Sequence, residues 1–325
     1  MKRTKKVWLP LVIVLVLCTT MLIPPAGAAR RFVSIAAGWV TGAYFPMAGA
    51  ISRIAYKHLK DDGIKVTAES SGASVANAKL IGAGDTDFAI LQNDIASYAY
   101  AGKADMFDGP IKNLLGVCTL FPEHVQLIAR KDSKITSPSD LKGKKVAIGP
   151  VGSGTAENAK QILEAWGLTV DDLAKAEQLT ASQSADYIKD GRLDAAFFTV
   201  AVGAAVIMDT SLIVDTDVVP IAGKNVDTLI KQYPFYAKQT VMGGTYKGND
   251  KDVPTVSVMA MLAARADLED DIVYKILNAM YSDLDQLKMA HDKFKDIKME
   301  DGLVGMSIPL HPGAKKYFKE KGILK

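Results

Sequence analysis

Two stretches of the chain share one pattern, Gly84-Asp85-Thr86-Asp87-Phe88-Ala89-Ile90-Leu91 and Gly191-Arg192-Leu193-Asp194-Ala195-Ala196-Phe197-Phe198. In each, a glycine that suits the left-handed end of a helix stands three residues before an aspartate, and four apolar residues follow. An unbroken apolar run is typical of a parallel strand that is covered on both faces. The repetition predicts two lobes of similar build.

The segments around these stretches alternate between strand-like and helix-like patterns. Residues 32–37, 65–69 and 88–91 predict strands, and the pattern restarts with a strand at 145–148. Such alternation predicts α/β lobes with parallel sheets and right-handed crossovers. Longer apolar stretches at 114–129 and 255–264 are candidates for strands that cross between the lobes. The last part predicts one long amphipathic helix with an apolar stripe of Leu268, Ile272, Ile276, Met280, Leu284 and Leu287.

The first 28 residues have the pattern of an export signal. Lys2, Arg3, Lys5 and Lys6 precede an apolar run, and Ala26-Gly27-Ala28 has the small residues that a signal peptidase recognises. We expect cleavage near Ala28 and a periplasmic mature chain. The alternative is an uncleaved membrane anchor, because the apolar run approaches the length of a transmembrane helix.

The charge balance after cleavage gives no indication of nucleic-acid binding. The chain carries a net charge of +3, and the leader holds four basic and no acidic residues, so the mature net charge is 3 − 4 = −1. Nucleic-acid binding relies on clustered lysine and arginine, and the mature chain gives no indication of such a cluster. Removal of the leader also removes Cys18, which leaves Cys118 without an intramolecular disulfide partner.

Three turns rich in Gly, Ser and Thr fall where a predicted strand is followed by a helix. They span residues 38–44, 70–74 and 149–155. Ligands of parallel α/β sheets gather at the carboxyl ends of the strands, and a helix start attracts anions. Ordinary helix caps use the same residue types. The presence of three such turns in two lobes favours a ligand cleft.

Polar residues at the ends of two further strands are also candidate ligand contacts. Gln92-Asn93-Asp94 follows one predicted strand and Thr199 follows the matching strand of the second half, although a helix cap is an equal interpretation of the first group. Five aromatic residues suit either the core or the cleft wall, and Tyr44 is the favoured wall residue among Tyr44, Tyr98, Tyr233, Tyr236 and Tyr246.

Motifs for nucleotide, serine-nucleophile or metal chemistry are not found. Thr155 follows Gly154 directly, so the third turn lacks the lysine of a phosphate-binding loop. The chain has no Gly-x-Ser-x-Gly motif, and its four histidines are scattered. The sequence therefore predicts neither a catalytic site nor a metal or cofactor. A dispersed triad, or a carboxylate pair such as Asp87 with Asp94, remains the basis of an alternative as an exported hydrolase.

Four loose motifs in a fixed order resemble the TAXI class of solute-binding subunits of TRAP (tripartite ATP-independent periplasmic) transporters. They are the Gly-x-x-x-Gly-x-Tyr-Phe-Pro turn at 38–46, Glu69-Ser70-Ser71-Gly72-Ala73-Ser74-Val75-x-Asn77, Gly84-x-x-Asp87 leading to Leu91-Gln92-Asn93-Asp94, and Tyr233-Pro234-Phe235-Tyr236 leading to Gly244-Thr245-Tyr246. Ala43 and Ala73 depart from the family pattern where a second glycine is common, and Ala76 departs where glutamate is common.

The resemblance implies a type II periplasmic-binding-protein fold, with lobe I at 29–122 and 262–325 and lobe II at 123–261. It also implies a non-enzymatic receptor that closes around a small organic anion, such as glutamate, 2-oxoglutarate or a related dicarboxylate. The ligand would pass to an ion-gradient-driven TRAP permease. By matching position, the resemblance places ligand contacts at Thr41, Tyr44, Ser71, Ser74, Gln92, Asn93, Ser153, Gly154, Thr155 and Thr199.

A second interpretation is a binding protein of the same fold that serves an ATP-driven importer or a sensor kinase. Ligand binding alone would not separate these alternatives from a TRAP receptor, because all three enclose a solute between two lobes.

Overall fold

The computed structural model describes residues 31–40, 42–103, 106–291 and 294–325, so the predicted leader lies outside the described residues. Within them ten strands form, β1 Arg31–Ala36, β2 Ile64–Glu69, β3 Phe88–Gln92, β4 Leu114–Arg130, β5 Lys145–Ala147, β6 Lys175–Glu177, β7 Ala195–Val200, β8 Thr216–Val219, β9 Ala237–Val241 and β10 Val253–Arg265. The α-helices are α1 Tyr44–Leu59, α2 Ser74–Ala83, α3 Asn93–Ala101, α4 Gly154–Ala165, α5 Ala181–Lys189, α6 Ala205–Ile213, α7 Lys224–Gln232, α8 Asp270–Ser282, α9 Leu284–Met289 and α10 Pro312–Glu320. In the described part of the chain, no helix combines the length and the apolar character needed to cross a membrane.

The strands form one continuous sheet with the order β2-β1-β3-β10-β4-β7-β5-β6, while β8 pairs with β4 and β9 pairs with β10. In lobe I, β1 lies parallel to β2 and β3. In lobe II, β5 lies parallel to β6 and β7. Each parallel unit is built by strand–helix–strand crossovers, which agrees with the predicted alternation.

The two lobes are joined by the long strands β4 and β10, as the apolar stretches predict. These strands pair antiparallel with each other from one lobe into the other. β10 continues into lobe I by pairing with β3, and β4 continues into lobe II by pairing with β7. The predicted lobe boundaries at 122/123 and 261/262 fall inside these two strands and stay a prediction.

The repeated aspartates hold equivalent positions in the two lobes. Asp87 Oδ2 accepts a hydrogen bond from the backbone N–H of Ser34 in β1 at 2.9 Å. Asp194 Oδ2 accepts one from the backbone N–H of Lys145 in β5 at 2.7 Å. In lobe I this hydrogen bond links the start of β3 to β1, and in lobe II it links the start of β7 to β5.

The sheet of lobe I is covered on both faces, which explains its unbroken apolar strand. Phe88 and Ile90 of β3 pack into a core cluster with residues of α1, α8 and α10. Ala89 and Leu91 point to the opposite face and pack with residues of α2 and α3. Alternate side chains of one strand thus enter separate cores. Lobe II shows the same separation in β7, where Phe197 and Phe198 belong to different clusters.

The expectation of one long helix near the C-terminus is wrong, because two helices form. At Asp283, between α8 and α9, the backbone takes φ −125° and ψ 43°, which are not helical values. The Asp283 carboxylate accepts from Lys57 Nζ at 2.6 Å and lies 3.1 Å from His58 Nε2. The apolar stripe continues across the break, because Leu287 and Met280 share one core cluster. Periodicity alone could not show this break.

Candidate functional site

A cavity of about 320 Å³ lies between the two lobes, and all three predicted turns contribute to its wall. Gly38 and Tyr44 of the first turn, Ala73 and Ser74 of the second, and Ser153 of the third line the cavity. The turns meet there because each follows the carboxyl end of a parallel strand, as the sheet order requires.

Seven of the ten predicted contact residues line this cavity. They are Tyr44, Ser74, Gln92, Ser153, Gly154, Thr155 and Thr199. Thr41 lies outside the described residues. The structure places Ser71 and Asn93 apart from the cavity wall.

Ser71 and Asn93 make contacts that hold the protein framework. Ser71 Oγ donates to Asn77 Oδ1 at 2.5 Å. Asn93 Nδ2 donates to the carbonyl of Gly305 at 3.0 Å, and Asn93 Oδ1 accepts from the backbone N–H of Met259 at 3.1 Å. The side chains of Ser71 and Asn93, which the resemblance assigns to ligand contacts, are thus hydrogen-bonded within the protein.

Six α-helices of the described chain begin at the cavity, and their N-cap residues all line it. These residues are Ala43 for α1, Ala73 for α2, Gln92 for α3, Ser153 for α4, Thr180 for α5 and Ala204 for α6. No side-chain cap is formed by the three alanines, whereas Ser153 and Thr180 accept backbone N–H groups of their own helices. A helix start presents unpaired N–H groups and the positive end of the helix dipole. The cavity is therefore suited to an anion.

Two buried polar atoms of the wall have no hydrogen-bond partner within the described protein. They are Gln92 Oε1, from lobe I, and Thr199 Oγ1, from lobe II. Both side chains are almost fully buried. Buried polar atoms are paired in nearly all proteins, which makes these two oxygens candidates for contact with a ligand.

Glu123 was missed by the sequence analysis although it lines the cavity. It lies on the crossover strand β4, and Tyr44 Oη donates to its Oε2 at 2.6 Å. Burial raises the pKa of Glu123 to about 8. Burial also raises the pKa of Tyr44, which keeps its proton and acts as the donor. The available signal was a carboxylate within an apolar strand, directly after Pro122.

The described wall of the cavity contains no lysine or arginine. Its ionisable side chains are Tyr44, Glu123 and His291, and the remaining wall is rich in apolar groups such as Trp39, Phe197 and Val206. An anion there would depend on helix starts and neutral donors, because no cationic lysine or arginine side chain faces it.

The lobes also contact each other directly beside the cavity. We call this the α3–α4 contact; it joins Asp94, Tyr98 and Lys103 of lobe I to Asn158, Gln161 and Glu157 of lobe II, respectively. Asn158 Nδ2 donates to Asp94 Oδ2 at 2.8 Å, and burial raises the pKa of Asp94 to about 7. These bonds exist only when the lobes are together, so the structure represents a closed form.

The carboxylate pair proposed for a hydrolase does not form. Asp87 precedes β3 and Asp94 follows it, so a strand of five residues, roughly 16 Å long, separates them. The described residues also contain no group of three or more His, Cys, Asp or Glu that could hold a metal ion.

A family model described as the NMT1-like family matches residues 35–322. The chain belongs to the NMT1-like family. Among solved structures, PhnD1 from Prochlorococcus marinus in complex with methylphosphonate matches with 11% identity and a TM-score of 0.53, covering 91% of this chain and 100% of that one. A protein assigned as an L-cystine ABC transporter from Listeria monocytogenes matches with 18% identity and a TM-score of 0.50, covering 81% and 95%. At such identities the likeness shows the fold, and it confirms the two-lobed α/β periplasmic-binding-protein class.

These findings overturn the TAXI resemblance. The family that matches is the NMT1-like family, and the similar structures named above include a protein assigned as an ABC transporter. The expectation of a TRAP permease as partner, with glutamate, 2-oxoglutarate or another dicarboxylate as cargo, is therefore wrong. The quoted motifs misled because strand-to-helix turns with Gly, Ser, Thr and Tyr are required by the fold itself, whatever transporter it serves.

Proposed function

We propose that this chain is an exported solute-binding protein that encloses a small organic anion between its lobes and delivers it to an ATP-driven importer. The observation that carries the proposal is the cavity itself. Helix starts surround it, and Gln92 and Thr199, each of which has an unpartnered buried side-chain oxygen, line it from opposite lobes. A ligand that contacts both lobes stabilises the closed form by its higher affinity for that form.

The wall composition limits the kind of solute. Helix starts suit a phosphonate, sulfonate or carboxylate head group, while Trp39, Phe197 and Val206 suit an apolar body. The complex of PhnD1 with methylphosphonate gives an example of a small anion bound by a protein of this fold. No reaction step is required of such a receptor, so we assign no catalytic residue.

A thermal-shift screen tests the binding step. The mature chain is mixed with methylphosphonate, short alkanesulfonates, monocarboxylates, arginine and L-cystine. A ligand at a hundredfold over its dissociation constant adds about 2.7 kcal/mol, which raises the melting temperature by several degrees. We expect the rise with one class of anion. A folded protein that responds to no anion would contradict the proposal.

The variant Thr199→Val tests whether the cavity is the binding site. Because Thr199 Oγ1 has no protein partner, we expect unchanged stability without ligand and an affinity lowered about ten- to a hundredfold. The matched control is Thr119→Val, whose hydroxyl donates to the carbonyl of Asp301 at 2.9 Å away from the cavity. That control should lose about 1 kcal/mol of stability and keep its affinity. Equal affinities in both variants would place the ligand elsewhere.

The importer step needs a separate measurement. We expect the ligand-loaded chain to stimulate the ATPase activity of its membrane-reconstituted importer, and the ligand-free chain to stimulate it less. If ligand binds but no importer responds, the transport assignment fails and a sensor kinase becomes the better partner.

A further inference from the structure

Glu123 is the one carboxylate among the described residues that line the cavity. It is held in place by Tyr44 Oη, which donates to its Oε2 at 2.6 Å, and its side chain also accepts a hydrogen bond from Gln92. Only 5% of the residue is exposed. The carboxyl group is therefore fixed on the crossover strand β4 and lines the space that a ligand would fill.

The described groups around Glu123 include no lysine or arginine within the cavity wall. Tyr44 from α1 is a neutral donor, Asp94 from α3 is a second carboxyl group that raises the pKa of Glu123, and His291 lines the cavity after α9. Lys103, the basic residue of the α3–α4 contact, is paired with Glu157 at 2.8 Å. No lysine or arginine of the described wall reaches the carboxyl group.

An anion in this cavity would meet Glu123 at close range in a medium of low dielectric constant. Two negative charges a few ångströms apart repel strongly under such conditions, while a protonated carboxyl group donates a hydrogen bond. Burial favours the protonated form independently, since it raises the pKa of Glu123 to about 8.

We infer that Glu123 determines ligand charge, because its protonated side chain donates to a bound anion and restricts the cavity to solutes with a single negative charge. This inference rests on the proposed function. It follows that binding is linked to the proton on Glu123, so affinity for an anion falls when Glu123 ionises. A dianion is disfavoured because the described residues of the wall supply helix starts but no lysine or arginine to balance a second charge.

Calorimetric titration with sulfonates tests the inference, because sulfonates keep a fixed charge across the pH range. Ethanesulfonate and 1,2-ethanedisulfonate form one matched pair, and butyrate and succinate form a second. We expect the mono-anion of each pair to bind at least about tenfold tighter. Affinity for it should fall about tenfold per pH unit above about pH 8, as expected for one linked proton.

The variant Glu123→Gln should remove this pH dependence. Its amide N–H replaces the acid O–H as donor, so we expect it to bind ethanesulfonate more weakly than the parent at pH 7 and more tightly at pH 9.5. Asp94→Asn is the matched control and should keep the pH dependence above pH 8. Titration of the unaltered chain in buffers of different ionisation enthalpy gives an independent reading of proton uptake above pH 8.

Three outcomes are distinguishable. If neither pair of anions binds to the folded chain, the proposed function fails. If anions bind with an affinity that is constant or rises with pH, the role of Glu123 is wrong while the receptor function stands. Persistence of the pH dependence in Glu123→Gln would also overturn the inference.

Discussion

The two lobes share a framework but present different walls to the cavity. In lobe I, where β3 begins and β10 ends, the backbone N–H of Arg265 in β10 donates to the carbonyl of Asp87 at 3.0 Å. In lobe II, Arg130 in β4 donates to the carbonyl of Asp194 in the same way at 2.9 Å. The repeated sequence pattern thus marks repeated strand connections.

The difference lies in how the predicted turns end. In lobe I, α1 and α2 begin after Ala43 and Ala73, which form no side-chain cap. In lobe II, the third turn ends at Ser153, whose Oγ accepts from the backbone N–H of Ala156 at 3.2 Å. The lobe II turn therefore engages an N–H group of its own helix, whereas the N–H of Val75 in α2 donates across the cleft to the carbonyl of Gly152 at 3.1 Å. The comparison teaches that the same strand-to-helix connection can direct a helix N–H group to its own cap in one lobe and to the opposite lobe in the other.

The largest expected effect concerns Asp94, which belongs to lobe I but is buried against lobe II. Burial raises its pKa from 3.8 to about 7, so the folded state holds a proton that the unfolded state releases. Stability from this group is complete below about pH 4 and is lost as the pH rises to about 7. Across this pH range, the free energy of unfolding of the parent chain should fall by on the order of 2–4 kcal/mol relative to that of Asp94→Asn.

Urea denaturation of both chains at half-unit steps from pH 4.5 to 8 measures this difference. Glu123 is present in both chains, so its own titration largely cancels in the comparison. If the free energies of unfolding of the two chains changed in parallel with pH, Asp94 would be solvated and the lobes would not close as described.

The next effect tests the contact between the lobes at Gly154. An added Cβ there would overlap Gln92 Oε1 across the cleft. We expect Gly154→Ala to weaken ligand binding by about 1–3 kcal/mol, or roughly five- to 150-fold, because the side chains must shift before the lobes meet. The control Gly109→Ala adds a Cβ with no neighbour within 4 Å and should bind normally. Titration calorimetry decides, and equal affinities would mean that the ligand is held without this closure.

A smaller effect is expected from the α3–α4 contact. Asn158→Ala removes the hydrogen bonds to Asp94 and to Tyr236 Oη, both 2.8 Å long. We expect the open form to gain population and ligand affinity to fall by about 1–2 kcal/mol. Small-angle X-ray scattering should show a larger ligand-free radius of gyration. Asn113→Ala removes bonds within lobe I and should leave that radius unchanged; a shared response of both variants would argue against a closing contact.

The smallest expected effect is a change in stability that has opposite signs for substitutions in the second and third turns. Ala73 has φ 67° and Gly152 has φ 76°, a region that favours glycine. Ala73→Gly should stabilise the ligand-free chain by about 1 kcal/mol, and Gly152→Ala should destabilise it by a similar amount. Space is not the cause at Gly152, since an added Cβ meets nothing within 4 Å. Denaturant midpoints that shift in the same direction would contradict the strain at Ala73.

Much of the fold and part of the site could be predicted. Strand–helix alternation, the repeat at Asp87 and Asp194 and both crossover strands agree with the structure, because each depends on local periodicity. Seven predicted contacts line the cavity for a related reason: the residue after a parallel strand must lie at the sheet edge. Ser71 and Asn93 have the same position in the pattern but bond to the framework, and the pattern contains no information on which partner a polar group finds.

The sequence by itself determined the two α/β lobes, the strands that join them and the turns that face the cleft, because the order of neighbouring residues specifies these features. Only the tertiary structure decided that Tyr44 donates to Glu123 and that Asp94 meets Asn158. These partners are 79 and 64 residues apart, and their distance depends on how β4 and β10 set one lobe against the other. Such long-range contacts depend on how all the strands and helices pack together, so no local sequence pattern predicts them.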